Sequence, residues 1–290
     1  MYDSVDEIIR LSEEKKKSFW EIVAEDDARA QDISEEEDIR RMLSTYQAMR
    51  ESDLSYDPNL HSTSGLVGAE AQKISDRRAR KEMICGDFIG SVMERALRVA
   101  ESNACMKKIV AAPTAGSCGV MPAVLLSLQE KYGYSDEKMA QALFVAGGIG
   151  GVIACRASLA GAEGGCQAEI GAASAMTAGA AVYLQGGTAR QIANAAALAL
   201  KSLLGLSCDP VAGLVEVPCV KRNVIGAVNA LTSADMTMAG IESKIPPDEV
   251  FDAMGSIGRN MDESIRETGI GGLAGTPTGR KIRSRIRGME

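Results

Sequence analysis

Ala168-Glu169-Ile170-Gly171-Ala172-Ala173-Ser174-Ala175-Met176-Thr177-Ala178-Gly179-Ala180-Ala181-Val182-Tyr183-Leu184-Gln185 is small or apolar at almost every position. Alanine is the best helix former and lets neighbouring backbones approach, so this stretch reads as a helix. A helix that is apolar all round belongs in the middle of a large helical domain. Residues 138–158 and 188–204 have the same character. Aromatic residues are only 4% of the chain, and β-branched residues are scattered rather than alternating. The expectation is an all-α fold: one multi-helix domain around buried Ala/Gly-rich helices, with a helical hairpin at the N-terminus.

Working outward, residues 4–31 read as one amphipathic helix, with Val5, Ile8, Ile9, Phe19, Ile22 and Val23 near helical spacing. Ser34 and Glu37 form a capping box that opens a second helix through about Arg50. Residues 1–60 are therefore expected to be an appendage to a main domain of 61–290. Residues 51–68 form a linker. Helices are predicted from Ala69, over 80–103, and from Pro122 to Tyr132, with another opened by Ser135. Gly186-Gly187 separates two buried helices, and Thr188 with Gln191 makes a second capping box. The last helices cover 220–241 and 247–263, followed by a Gly-rich loop, 269–279. The basic run Arg280–Arg287 reads as a solvated tail or as a docking surface for an acidic partner chain.

The chain has 290 residues, a net charge of −7 and a pI near 5.1, which argues against nucleic-acid binding. Seven cysteines, an odd number, do not suggest a secreted disulfide framework. The first residues lack the basic-then-apolar pattern of a signal peptide, and charged residues interrupt every apolar stretch. A reduced, cytoplasmic protein with no membrane span is expected.

Chemistry is expected from Cys166, Cys208 and Cys219, which stand in Gly164-Gly165-Cys166-Gln167, Ser207-Cys208-Asp209-Pro210 and Val217-Pro218-Cys219. Thiolates aimed from turns can converge on a metal. Three soft ligands without an obvious fourth suggest an iron–sulfur cluster with one open, Lewis-acidic iron. Ordinary buried thiols remain the competing reading, because the spacing is not a compact ferredoxin run. Cys85, Cys105 and Cys155 read as buried structural cysteines.

The loop Thr114-Ala115-Gly116-Ser117-Cys118-Gly119 precedes a helix and offers hydroxyls and free N–H groups to a carboxylate or phosphate. Ser62-Thr63-Ser64-Gly65 has similar chemistry, with Lys73 about two turns into the next helix. Both could equally be plain helix entries. His61 is the only histidine and adjoins that loop. Glu163 and Gln167 flank Cys166. Glu163 is a candidate to hold an ammonium group, orient a ligand or act as a base.

Three segments carry a resemblance. Ser158–Glu169, Gly205–Asn223 and Ala112–Gly119 closely resemble the α part of the iron–sulfur-dependent L-serine dehydratases, in the family's order. The resemblance implies an all-helical domain and a [4Fe-4S] cluster on Cys166, Cys208 and Cys219, without pyridoxal phosphate. It implies elimination of water from L-serine to give pyruvate and ammonia. It implies catalytic roles for His61, Lys73 and Glu163. It also implies substrate contacts from Ser62, Thr63, Ser64, Gly65, Thr114, Ala115, Gly116, Ser117, Cys118, Gly119, Gln167 and Asn223. The family's β part is missing from this sequence, so a separate β subunit is expected to complete the enzyme. The ending Arg287-Gly288-Met289-Glu290 lacks the C-terminal cysteine that closes the cluster in some members. A cysteine desulfidase-type lyase, a non-catalytic iron–sulfur redox sensor and a purely structural helical protein are the alternatives.

Overall fold

The computed structural model describes residues 2–288, so Met289 and Glu290 of the expected C-terminal ending lie outside the described residues. Thirteen α-helices follow in order: α1 (Val5–Lys15), α2 (Phe19–Gln31), α3 (Glu35–Leu54), α4 (Glu70–Ala79), α5 (Gly86–Ala104), α6 (Val120–Tyr132), α7 (Asp136–Arg156), α8 (Gly161–Gly164), α9 (Ala172–Leu184), α10 (Ala189–Lys201), α11 (Cys219–Met238), α12 (Pro247–Asn260) and α13 (Pro277–Ile286). No strand forms among the described residues; one isolated bridge pairs Cys208 with Arg266. The fold is all-α, as the Ala/Gly-rich stretches require.

Helix α9 is the axle. All thirteen of its residues are buried, with α6, α7, α10 and α11 packed around it. Small side chains make this possible. A Cβ on Gly179 would come within 2.2 Å of the Ile149 Cδ1 on α7, so glycine leaves the space that the Ile149 side chain fills between these two helices. The stretch 167–171, just before α9, forms a π-turn rather than the α-helix expected from Ala168. It begins directly after Cys166, and such wide turns commonly accompany functional positions.

Local signals placed several helix starts. Ser34 Oγ accepts the Glu37 N–H at 3.2 Å, and the Thr188 N–H donates to Gln191 Oε1 at 2.9 Å. Other expectations need correction. Residues 4–31 form two helices rather than one. Lys16 turns left-handed at φ 54°, and the Ser18 N–H donates to Glu21 Oε2 at 2.8 Å, starting α2 afresh. The N-terminal helices are no appendage in packing terms. Val5, Ile8, Phe19, Ile22 and Tyr46 share one apolar cluster with Phe144, Ile149 and Phe251 of the main body. The basic C-terminal run is not a frayed tail but helix α13, capped by Thr276 Oγ1, which accepts the Gly279 N–H at 3.1 Å. Cys85 and Cys155 are exposed and Cys105 is half-buried, so their expected burial fails. Helix α7 is long and apolar enough to cross a membrane by length and composition, contrary to the reading that no segment is. Eleven of its residues are instead buried within this fold.

One buried carboxylate offers a test of the packing. Asp38 of α3 is 2% exposed, and one of its carboxyl oxygens has no hydrogen-bond partner. Burial, reinforced by the charge of Asp27, lifts its pKa to about 6. A carboxyl with a raised pKa favours folding while protonated, and that contribution is lost as pH rises through 6. Asp38→Asn should therefore stabilise the fold at pH 8 by roughly 1–2 kcal/mol and change little at pH 4. Urea midpoints measured at both pH values check this, and equal shifts at the two would contradict it.

Candidate active site

Cys166 follows α8, Cys208 lies on the loop after α10, and Cys219 opens α11; all three are buried. A single side chain ties them together. Arg222 sits one turn after Cys219 on α11. Against the effect of burial, its charge lowers the pKa of the Cys166 thiol, and its guanidinium donates to the Ser207 carbonyl at 2.6 Å and pairs with Asp209 at 2.8 Å. Cys208 lies between those last two residues. Asp209, 4% exposed, also accepts the Leu273 N–H at 2.8 Å. The Cys208 backbone is held from the other side. Its N–H donates to the Ile265 carbonyl at 2.8 Å, and its carbonyl accepts the Glu267 N–H at 2.6 Å.

The three thiols share one electrostatic environment. Burial pushes Cys166 up to about 11, with Arg222 pulling against it. Burial pushes Cys219 up to about 12, with the charge of Cys166 adding to the shift. Cys208 is raised furthest, first by burial and then by Glu169, Cys166 and Cys219. Each ionised sulfur would thus make the next harder to ionise.

Glu169 is the carboxylate at this site. Its Oε2 accepts from the Cys208 Sγ at 3.6 Å, and its Oε1 accepts from Thr114 Oγ1 at 2.8 Å. Burial raises its pKa, opposed by the Thr114 hydrogen bond. Gly161 leaves the room: a Cβ there would lie 2.7 Å from Glu169 Oε2 and 3.1 Å from both Cys208 Sγ and Glu267 Oε2.

Of the two candidate loops, Thr114–Gly119 reaches the thiols. Gly116 packs beside Glu169, where an added Cβ would meet Oε1 at 3.0 Å. Asn223 clasps this loop to α11. Its amide donates to the Gly116 and Cys219 carbonyls at 2.9 Å each, and its Oδ1 accepts the Gly119 N–H at 2.8 Å. Asn223 and the buried Cys118, whose thiol is pushed up to about 12 by burial, thus build the wall of the site. Ala115 and Ser117 form the short turn within the loop. Gln167 is wholly buried, with its amide donating to the Met254 carbonyl at 3.2 Å and accepting the Gly205 N–H at 2.8 Å. Both of its ends are already engaged.

The other loop is linked indirectly. Ser62 Oγ donates to Glu216 Oε2 at 2.9 Å, and Ser64 Oγ bonds the same oxygen. Glu216 is buried three residues before Cys219. Gly65 turns at φ 72°, and Thr63 is exposed. His61 and Lys73 are exposed, and no contact brings either to the thiols. Glu163 is exposed and accepts from Ser158 Oγ at 2.6 Å, outside the thiol cluster. Arg222 and Glu216 were not picked out from the sequence, although the position of Arg222 one turn after Cys219 was visible there.

The donor set fits an iron–sulfur cluster. It offers three buried thiols, Arg222 to offset their charge, and a glycine where any side chain would intrude. Among the described residues, no three His, Cys, Asp or Glu side chains form a nest for one ion. Thiolates on a cubane bind separate irons and so stand further apart than ligands sharing one ion.

Comparison with known proteins places the chain in a family. The family model "Serine dehydratase alpha chain" matches residues 14–274. The chain belongs to the serine dehydratase alpha chain family. The match spans all three thiols, Glu169, Arg222 and both hydroxyl-bearing loops. Among curated members, the probable L-serine dehydratase alpha chain of Bacillus subtilis is 44% identical, over 99% of this chain and 96% of its own. The L-serine dehydratase alpha chain of Peptoniphilus asaccharolyticus is 42% identical, over 98% and 97%. A longer member, the L-serine dehydratase of Helicobacter pylori, is 35% identical over 95% of this chain but 62% of its own.

The Arg222 bridge sets up a stability test. Arg222→Met leaves Asp209 buried and unpaired, and should cost about 3–5 kcal/mol. Arg222→Lys keeps the charge but loses the two-pronged grip, and should cost roughly 1–3 kcal/mol. Denaturant unfolding of the metal-free chain measures both, and two near-wild-type values would contradict the bridging role.

Proposed function

We propose that this chain is the catalytic α subunit of an L-serine dehydratase, an ammonia-lyase that converts L-serine to pyruvate and ammonia. The observation that carries the proposal is the family match over residues 14–274, which includes the three buried thiols Cys166, Cys208 and Cys219. Cys166, Cys208 and Cys219 would hold a [4Fe-4S] cluster. When bound, the cluster supplies a Lewis-acidic iron able to draw off a hydroxyl group as leaving group.

The chain's own residues supply the rest. Arg222 offsets the thiolates' charge while fixing the turn that carries Cys208. Glu169 holds a proton more readily than a surface glutamate. Ionised sulfurs a few ångströms away would favour its protonated form further. At Oε2 it is placed to give that proton to a departing oxygen or to take it back. Thr114 fixes the orientation of this carboxyl through Oε1. The Thr114–Gly119 loop presents a backbone turn and hydroxyls to the substrate's carboxylate, at the head of α6. The buried walls limit water around the reacting group.

Two coarser parts of the reading come from the relatives. The "alpha chain" in several names supports a second, β chain that completes the enzyme. The greater length of the Helicobacter member fits the same division of labour on one chain. His61, exposed and away from the thiols, would act only where that second chain folds over it.

The test uses the anaerobically purified two-chain enzyme. It should release pyruvate from L-serine, and Glu169→Gln should lower kcat by about 10²–10⁴-fold while iron content stays unchanged. Full activity in Glu169→Gln would remove Glu169 from proton transfer. Sulfide released from L-cysteine without pyruvate from L-serine would overturn the dehydratase reading.

A further inference from the structure

Helix α13 and its C-cap residue carry Arg280, Lys281, Arg283, Arg285 and Arg287 within eight positions. Four of these are exposed, and Arg283 is half-buried. Among the described residues none of the five pairs with a carboxylate. Arg280 and Arg283 donate only to the backbone carbonyls of Gly275 and Gly269. Elsewhere the protein pairs its surface arginines freely, as Arg10 with Glu14, Arg41 with Glu37 and Arg190 with Glu13. In a chain with 39 acidic residues and a net charge of −7, a run of five mutually repelling cations without a carboxylate partner among the described residues stands apart.

Apolar surface adjoins the basic helix. Ile270 and Leu273, in the segment that leads into α13, are 61% and 45% exposed. This segment is part of the thiol site's support, because the Leu273 N–H donates to Asp209, the residue after Cys208. A protein interface combines these features: an apolar centre with arginines that can grip carboxylates two at a time. A polyanion such as RNA would meet the repulsion of the surrounding acidic surface, whereas a compact acidic face on a folded chain would not.

We propose that α13, with Ile270 and Leu273, is the docking surface for an acidic face of the dehydratase's second chain, and that docking steadies the 269–275 segment behind Cys208. The proposal rests on the two-chain reading above and adds the surface and its chemistry. None of the five cations belongs to the thiol site, so they can be changed without touching the cluster ligands.

The experiment measures association of the purified chain with its β chain at low and high salt. The wild type should bind about tenfold or more weakly at high salt. The variant R280E/K281E/R285E/R287E should bind about tenfold or more weakly than wild type at low salt and lose most of its salt dependence. Its glutamine counterpart should fall between the two. Iron content and the unfolding midpoint of the isolated variants should match wild type, which separates lost docking from lost folding. Equal association of wild type and the reversed variant would sink the surface assignment alone. So would salt-independent binding of the wild type. Binding of the wild type to phosphatidylserine vesicles or to RNA, abolished by the reversal while two-chain association persists, would overturn it in favour of a polyanion. Failure of the wild-type chains to associate at all would instead sink the two-chain reading, and this surface with it.

Discussion

The Arg222 guanidinium is the interaction on which the site depends. Three thiols buried side by side oppose one another's ionisation, and low dielectric makes that opposition severe. The cation eases ionisation of Cys166 and grips both sides of Cys208 through Ser207 and Asp209. It rises from the same helix that Cys219 begins. Loops distant in sequence thus become one site. Asp209 completes the arrangement, since an arginine buried among thiols with no carboxylate would itself be costly. The charges nearly balance while the thiols are protonated. They would fall short once the sulfurs were thiolates, which is the imbalance a bound cationic cluster would offset.

The helical core gives this polar cluster a rigid floor. Helix α9 starts from the π-turn that carries Glu169, and every one of its thirteen residues is packed. Helices α6 and α11 flank it and bring the Thr114–Gly119 loop and Cys219 to the same end. Asn223 then fastens the loop to α11 by two hydrogen bonds, to Gly116 and Gly119. The small residues that let helices approach closely also leave the space at Gly161, where glutamate and sulfur meet. Packing and chemistry draw on one compositional choice, a chain rich in alanine and glycine.

Much of this was legible in the sequence where the cause is local. Ser34 with Glu37 and Thr188 with Gln191 announce helix starts because capping is settled within four residues. The apolar runs announce helices buried on every side, because an all-round apolar helix is not stable in water. The division of residues 4–31 was hidden, since the pattern of apolar residues continues through the left-handed turn at Lys16. Glu163 and Glu169 look equivalent around Cys166 in the sequence. The tight turn at α8 and the π-turn send the first to solvent and the second to Cys208, and sequence periodicity carries no sign of that. Glu216 was equally invisible, because its partners Ser62 and Ser64 lie more than 150 residues away. The turn contexts singled out the three cysteines together, and the family resemblance implied their role as cluster ligands. The structure adds what holds them together.

Differential alkylation tests the central claim most directly. The anaerobic, iron-loaded chain is treated with iodoacetamide and each cysteine is followed by mass spectrometry. Exposed Cys85 should label rapidly, while Cys166, Cys208 and Cys219 should stay protected until a chelator removes the iron, and then become reactive together. Labelling of any one of the three at the rate of Cys85, with the iron still fully bound, would show that sulfur to be no ligand and contradict the account.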